Sequence, residues 1–229
     1  MIKIKKGGFT LSEVLITLSI VGVIAALVVP GVIKDINNKA MMSLLQGTVS
    51  NINDVVQNEL VRTRAIKLSD TDIFNNPQKF LNNFDVAKSQ GSGLPVFFPT
   101  GGYKNFQGVS KVGMGGGTYN ASVVLKNGVG LAILVPRTSN GLLFNGRRCA
   151  LITIDLNGAK EPNISGVDLF ELELSDESNL DLGIHAGDNL EHSEDINVCK
   201  TACLEDGYPY ACYSFASLSG FNPNYLIEN

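Results

Sequence analysis

From Val14 to Ile33 the chain carries no charged side chain, and Glu13 stands immediately before that run. A helix over this stretch reaches the ~20 residues needed to cross a hydrocarbon core. It would also satisfy each interior backbone N–H and C=O within one segment, as lipid requires. A helix on the surface of a soluble domain keeps a polar face, and this run has none. A buried carboxylate without a partner costs several kcal/mol by order of magnitude, so Glu13 beside this run needs a partner or a purpose.

Lys3, Lys5 and Lys6 precede the run, and a basic stretch ahead of an apolar segment keeps the N-terminus cytoplasmic. A cleavable secretory signal places small residues after its apolar region, but here Pro30-Gly31-Val32-Ile33-Lys34 follows, and Gly7 and Gly8 lie before it. The order Gly8-Phe9-Thr10-Leu11-Ser12-Glu13 resembles the class III signal of type IV pilins and type II secretion pseudopilins. That resemblance implies cleavage by a prepilin peptidase between Gly8 and Phe9, N-methylation of the new Phe9 amine, and retention of the apolar helix in the mature subunit. Glu13 matches the family's assembly glutamate, and Pro30 falls where many members carry a helix-kinking proline. The implied partners are prepilin peptidase, other pilin or pseudopilin subunits in a homo- or hetero-polymer, and an inner-membrane assembly platform. The implied location is the inner membrane, single-pass with a cytoplasmic leader and an extracytoplasmic head, then a periplasmic or surface filament.

Physical chemistry supplies a reason for Glu13 in such a subunit. If helices leave the membrane by stacking, its carboxylate meets the positive amine of Phe9 on a neighbour, and each charge offsets the other's desolvation. The competing reading is an ordinary signal anchor with Glu13 among the headgroups at a helix start. The match of all six residues in register favours the filament.

Beyond Pro30, apolar residues continue at three- and four-residue steps: Ile36, Ala40, Leu44, Leu45, Val49, Ile52, Val55, Val56 and Leu60. This spacing predicts an amphipathic extension, with a polar face at Asn37, Asn38, Asn51, Asp54, Asn58 and Glu59. The expected organisation is a leader over 1–8, a long helix over 9–63 with its transmembrane part at 14–33, and a globular head over 64–229. At 1.5 Å per residue the helix would be about 80 Å long.

Residues 64–118 carry Asn76-Pro77, Gly91-Ser92-Gly93, Pro99-Thr100-Gly101-Gly102 and Gly113–Gly117. They read as mostly loop with one short helix near 77–84. The Gly113–Gly117 run lacks the Gly-Lys-Ser/Thr of a phosphate cradle. Strand signals begin at Ala121. Ser122–Lys126 and Val129–Val135 flank Asn127-Gly128, a dipeptide suited to positive φ at both positions of a two-residue turn. Arg148–Asp155 and Val167–Leu174 form a second pair. The predicted fold class is α+β and pilin-like: a long N-terminal helix packed on a small antiparallel sheet of about four strands over 121–174. A disulfide-containing C-terminal loop is expected over 175–229.

The connection Asp155-Leu156-Asn157-Gly158, Pro162-Asn163, Gly166 and Asp168 resembles a hairpin of many bacterial pilin-like heads, and some pseudopilins bind calcium in a head loop. Asp155, Asn157, Asn163 and Asp168 are accordingly the calcium candidates. Their spacing departs from calcium-loop patterns, and Asp and Asn side chains closing turns on their own backbone account for the same residues. No other cofactor is indicated. A second acidic group, Asp181, Asp188, Glu191, Glu194 and Asp195, reads as a solvated loop.

Cys149, Cys199, Cys203 and Cys212 lie on the extracytoplasmic side of the helix, where disulfides form. Three connectivities are open; one bridge within 199–212 and one to Cys149 is the favoured pattern. The alternative, zinc held by His185, His192, Cys199 and Cys203, lacks compact zinc spacing.

The formal charge is −4 at pH 7, and loss of the lysine-bearing leader makes the mature chain more acidic, which argues against general nucleic-acid binding. Arg147-Arg148, the one adjacent arginine pair, reads as a hairpin flank. The two histidines lie in one acidic stretch without a nucleophile signature, so no enzyme is expected. The leading function is a structural subunit of a type IV pilus-like or type II secretion pseudopilus filament. A filament-tip recognition module for adhesion or DNA uptake, and a monomeric anchored enzyme, are the competing readings.

Overall fold

The computed structural model describes residues 10–110, 117–135, 149–175, 182–183 and 195–225. The chain divides into two compact units, Met1–Ala40 and Met41–Asn229. Helix α1 (Leu11–Thr63) supplies every described residue of the first unit except Thr10 and, from Met41 onward, one layer of the second.

In the first unit the helix is long and apolar enough to cross a membrane, with mean hydropathy of 2.6 over its most apolar window and none of that window buried. Leu11, Leu27 and their apolar neighbours present bare side chains all round. The polar side chains turn inward. Thr17 donates to the carbonyls of Glu13 and Val14, and Ser19 donates to that of Leu15 at 2.8 Å, which removes each hydroxyl's need for water. Pro30 lies inside the helix and provides no N–H for the carbonyl one turn before it.

In the second unit an antiparallel sheet runs in chain order: β1 (Val86–Gln90), β2 (Ala121–Leu125), β3 (Gly130–Leu134), β4 (Cys149–Asp155), β5 (Leu169–Ser175) and β6 (Leu182–Gly183). The two-residue alternation of strands sorts its side chains. Ala150, Ile152 and Ile154 stand opposite Leu174, Leu172 and Phe170. On the same face, Ala121 and Val123 stand opposite Ile133 and Leu131. These residues share one core with Met42, Leu45, Val49, Ile52 and Val56 of α1 and with Ala211, Cys212, Phe215 and Ala216 of the C-terminal helix. Each fully buried Leu or Ile there contributes about 1.5–3 kcal/mol relative to exposure. The opposite face carries a smaller cluster of Phe97, Tyr119 and Ala132.

The α+β layout agrees with the sequence reading, and four strands fall where the strand runs and turn residues placed them. Several details differ. The sheet begins at Val86, well before residue 121: β1 pairs with β2 through an irregularity between Val86 and Lys88. Its side chains after Val86 are exposed, so no apolar alternation announces it. The β2–β3 turn is a three-residue loop. Gly128 donates to the Leu125 carbonyl at 2.9 Å, the Leu125 N–H donates to Val129 at 2.8 Å, and of the dipeptide only Gly128 takes positive φ.

Within 64–118 the short helix expected near 77–84 is α3 (Pro77–Leu81), capped by the Asn76 side chain; a 3-10 turn (Leu68–Asp70) and α2 (Asp72–Asn75) precede it. Residues 113–116 of the glycine run lie outside the described residues.

The expected C-terminal loop contains, where described, the short strand β6 and three helical pieces: α4 (Ile196–Thr201), a π-helical turn (Ala202–Asp206) and α5 (Pro209–Leu218). Residues 211–216 of α5 are buried without interruption, so no polar face marks it as amphipathic.

Glu59 is the remaining correction. Expected on the polar face of α1, it is 2% exposed. Its Oε1 accepts from the Arg62 guanidinium at 2.7 Å and from the Asp72 N–H at 2.9 Å, and its Oε2 accepts from Arg62 Nε at 3.0 Å. These donors offset the burial of its charge.

Candidate functional site: the N-terminal segment and the head hairpin

Gly8 and Phe9 lie outside the described residues, whose account starts at Thr10. Thr10 is the N-cap of α1. Glu13 Oε2 accepts from the Thr10 N–H and from the Thr10 hydroxyl, both at 2.8 Å, and Thr10 Oγ1 accepts from the Glu13 N–H at 3.3 Å. This reciprocal arrangement is a capping box, which satisfies two of the donors that a helix start leaves without intrahelical partners. The carboxylate therefore has partners within its own chain, besides any that a neighbour supplies. Thr10-x-x-Glu13 is the sequence signature of such a box.

In the head, the connection between β4 and β5 gathers the four calcium candidates. Asp155 ends β4 fully buried. Its Oδ1 accepts from the Asn157 N–H at 3.0 Å, and its Oδ2 accepts from the Tyr103 hydroxyl. Asp168, also fully buried, accepts from the N–H groups of Asn163 and Ile164, both at 2.8 Å. Asn163 takes positive φ, and the segment at Lys104 pairs with it: Lys104 donates to the Asn163 carbonyl at 3.0 Å and accepts from Ser165 at 2.9 Å.

Burial pushes the Asp155 carboxyl up to about 7 against the opposing hydrogen bonds of Tyr103 and Asn157. It pushes Asp168 up to about 6 against the backbone donors of Ile164 and Asn163. Burial and then the nearby Asp155 hold the Tyr103 hydroxyl far above its ordinary range.

Apart from the Tyr103 hydroxyl, these contacts are those of side chains closing turns on their own backbone. The Asn163 side-chain oxygen is buried without a partner among the described residues. Asp155, Asp168 and Asn163 are the groups a cation would use, but it would share both carboxylates with N–H and O–H donors. Among the described residues no three His, Cys, Asp or Glu side chains gather as a metal-binding group.

Cys203 and Cys212 form a disulfide, a bridge inside the 199–212 cluster. Cys203 is thereby removed from the zinc alternative. Cys199 is buried outside that bridge; burial, followed by the charge of Asp195, pushes its thiol up. Cys149 begins β4, and its side chain, with the bridge expected to it, lies outside the described residues. His185, His192, Arg147, Arg148, Asp181, Asp188, Glu191 and Glu194 also lie outside them. Asp195 caps α4 by accepting from the Asn197 N–H at 2.8 Å.

Residues 3–29 match the family described as the prokaryotic N-terminal methylation motif. No curated protein and no solved structure matches the chain. The methylation motif supports the signal of type IV pilins and pseudopilins at this N-terminus, and its extent covers Gly8, Phe9, Thr10 and Glu13.

Proposed function

We propose that the chain is a structural subunit of a type IV pilus-like or type II secretion pseudopilus filament. The observation that carries this reading is the methylation motif at residues 3–29 on a helix that leaves its apolar side chains uncovered. The subunit is stored in the inner membrane with the Lys-rich leader in the cytoplasm and the head outside. Prepilin peptidase cuts between Gly8 and Phe9 and methylates the Phe9 amine. The subunit then joins its neighbours through α1 at an inner-membrane assembly platform.

Lipid tails already cover the apolar side chains, so moving them against neighbouring helices gains little hydrophobic free energy; close packing and polar pairing drive association there. The pairing is supplied by Glu13 and the Phe9 amine of the next subunit. Pro30 bends the helix to fit that packing. The role is structural and not catalytic.

The test is co-expression with a prepilin peptidase, followed by intact-mass analysis and shearing of surface material. The expected product begins at methylated Phe9 and enters the sheared fraction, and Gly8→Val leaves the leader attached. A product that retains Met1 despite active peptidase, or one cut after Ile33, overturns the proposal.

A further inference from the structure

The sulfurs of the Cys203–Cys212 bridge sit against the main chain of Gly166. Both cysteines are fully buried. A methyl group placed on Gly166 would lie 2.9 Å from Cys212 Sγ, 3.0 Å from Cys203 Sγ and 3.0 Å from the Phe106 ring, so the sulfurs are packed tightly on the Gly166 side. The Ser165 hydroxyl is 3.8 Å from Cys212 Sγ, the Gly166 carbonyl accepts from the Tyr225 hydroxyl, and the Asn105 amide donates to the Glu205 carbonyl at 3.2 Å. The β4–β5 connection and the C-terminal helical segment thus meet where sulfur packs on backbone.

Two thiols need more room than one cystine, because non-bonded sulfurs stand at van der Waals separation while bonded ones are about 2.05 Å apart. Forcing extra volume into a filled interior destabilises the packed state. We propose that oxidation of Cys203 and Cys212 gates the docking of residues 202–225 onto the β4–β5 connection, which closes only when the two sulfurs share a bond.

The oxidant is an acceptor disulfide, on a small molecule or a protein. The thiolate of one cysteine attacks an acceptor sulfur and releases an acceptor thiolate; the second cysteine's thiolate then attacks the mixed disulfide and releases the other. The cysteine pair loses two electrons and two protons, and the acceptor gains both as two thiols. If the head lies outside the membrane as proposed above, it completes itself only after export. That consequence rests on the proposed topology, whereas the gate itself is testable on purified protein.

The experiment measures amide hydrogen exchange of the full chain in detergent micelles. Oxidised and dithiothreitol-reduced wild type are compared with a Cys203→Ala/Cys212→Ala variant, the variant with and without reductant to isolate any effect of the other cysteines. Reduction should raise exchange in residues 164–168 and 202–225 by about tenfold or more while β3 stays protected. The double variant, whose methyl groups take less room than thiols, should stay within about twofold of the oxidised protein. Equal protection of reduced and oxidised wild type overturns the proposal. So does a double variant that exchanges like the reduced protein, which would assign the effect to the lost covalent link. Loss of β3 protection on reduction, or peptide mapping without a Cys203–Cys212 link, overturns it as well.

Discussion

Thr10 and Glu13 satisfy each other at the start of α1, the carboxylate accepting from the threonine's N–H and hydroxyl while the threonine oxygen accepts from the glutamate's N–H. This gives Glu13 two separable duties in the proposed subunit: a helix cap within the chain and a charge for the neighbouring Phe9 amine. A glutamine retains the box's geometry and removes the charge, whereas an alanine removes the charge and the carboxylate half of the box. Glu13→Gln is therefore expected to keep membrane abundance and cleavage at wild-type levels yet sharply reduce sheared-filament yield. Glu13→Ala should do the same and also loosen the first turn, because the Thr10 N–H loses its acceptor while the Thr10 oxygen still accepts from the N–H of residue 13. Membrane fractionation, N-terminal mass and filament yield read the three effects separately. Wild-type assembly by the glutamine variant would remove the charge pairing and leave the cap as the residue's role.

The contrast between Glu13 and Glu59 shows what a one-dimensional reading captures. The uncharged run made the first unit legible because lipid imposes length and composition together. The strands β2 to β5 were legible because apolar and β-branched runs flank turn residues such as Asn127-Gly128, although β2 and β3 are buried on both faces and show no alternation. The charge of Glu59 suggests solvent; Arg62, three residues on, is a partner that helix spacing does supply, whereas the backbone of Asp72 reaches it from beyond the helix, which periodicity does not report. For β1, pairing rests on backbone hydrogen bonds with little side-chain burial, and α5 is buried on too many sides to show a moment. The four hairpin residues were found as a group, but whether their oxygens face cations or N–H groups depends on backbone turns that the spacing does not encode.

Arg64 ends α1 in the left-handed region with φ of 54°. Its N–H donates to Val61 at 3.2 Å and that of Ala65 donates to Leu60 at 3.1 Å, the paired bonds of a Schellman motif. Glycine adopts this conformation without the Cβ penalty but loses more entropy on folding. Because the Arg64 side chain is exposed, Arg64→Gly should be a net gain of about 0.5–1 kcal/mol. Thermal unfolding of the full chain in detergent is the measurement, and an unchanged or lower midpoint counts against the assignment.

Gly166 and Gly220 both take positive φ, 84° and 67°, but only the first is crowded. An added methyl group at Gly220 meets nothing within 4 Å, whereas at Gly166 it meets both sulfurs of the disulfide. Gly220→Ala should thus cost only the backbone strain of about 1–2 kcal/mol. Gly166→Ala adds overpacking of about 1–3 kcal/mol to the same strain. Comparing the two unfolding midpoints isolates the packing contribution, and equal losses would mean that the cystine pocket yields freely.

The last prediction follows from Asp155 and Asp168, whose carboxyls are raised by burial to about 7 and about 6. Both values exceed the ordinary carboxylate value near 4 of an unfolded chain. Their contribution to stability is then fully present below that ordinary value and declines as pH rises through about 6 to 7, where the folded head must hold charge that water solvates better. In chelator-treated buffer the head should therefore unfold at a lower temperature at pH 8 than at pH 5.5. Asp155→Asn, which keeps an acceptor for the Asn157 N–H and cannot ionise, should flatten that slope. Millimolar calcium added at pH 8 examines the same groups from the other side. Recovery of the midpoint in wild type and not in Asp155→Asn would assign cation binding to the hairpin, and no recovery would leave these residues as turn closers. A stability that rises steadily from pH 5.5 to 8 in chelator would contradict the raised carboxyls, because it would require these groups to bind fewer protons in the folded head than in the unfolded chain.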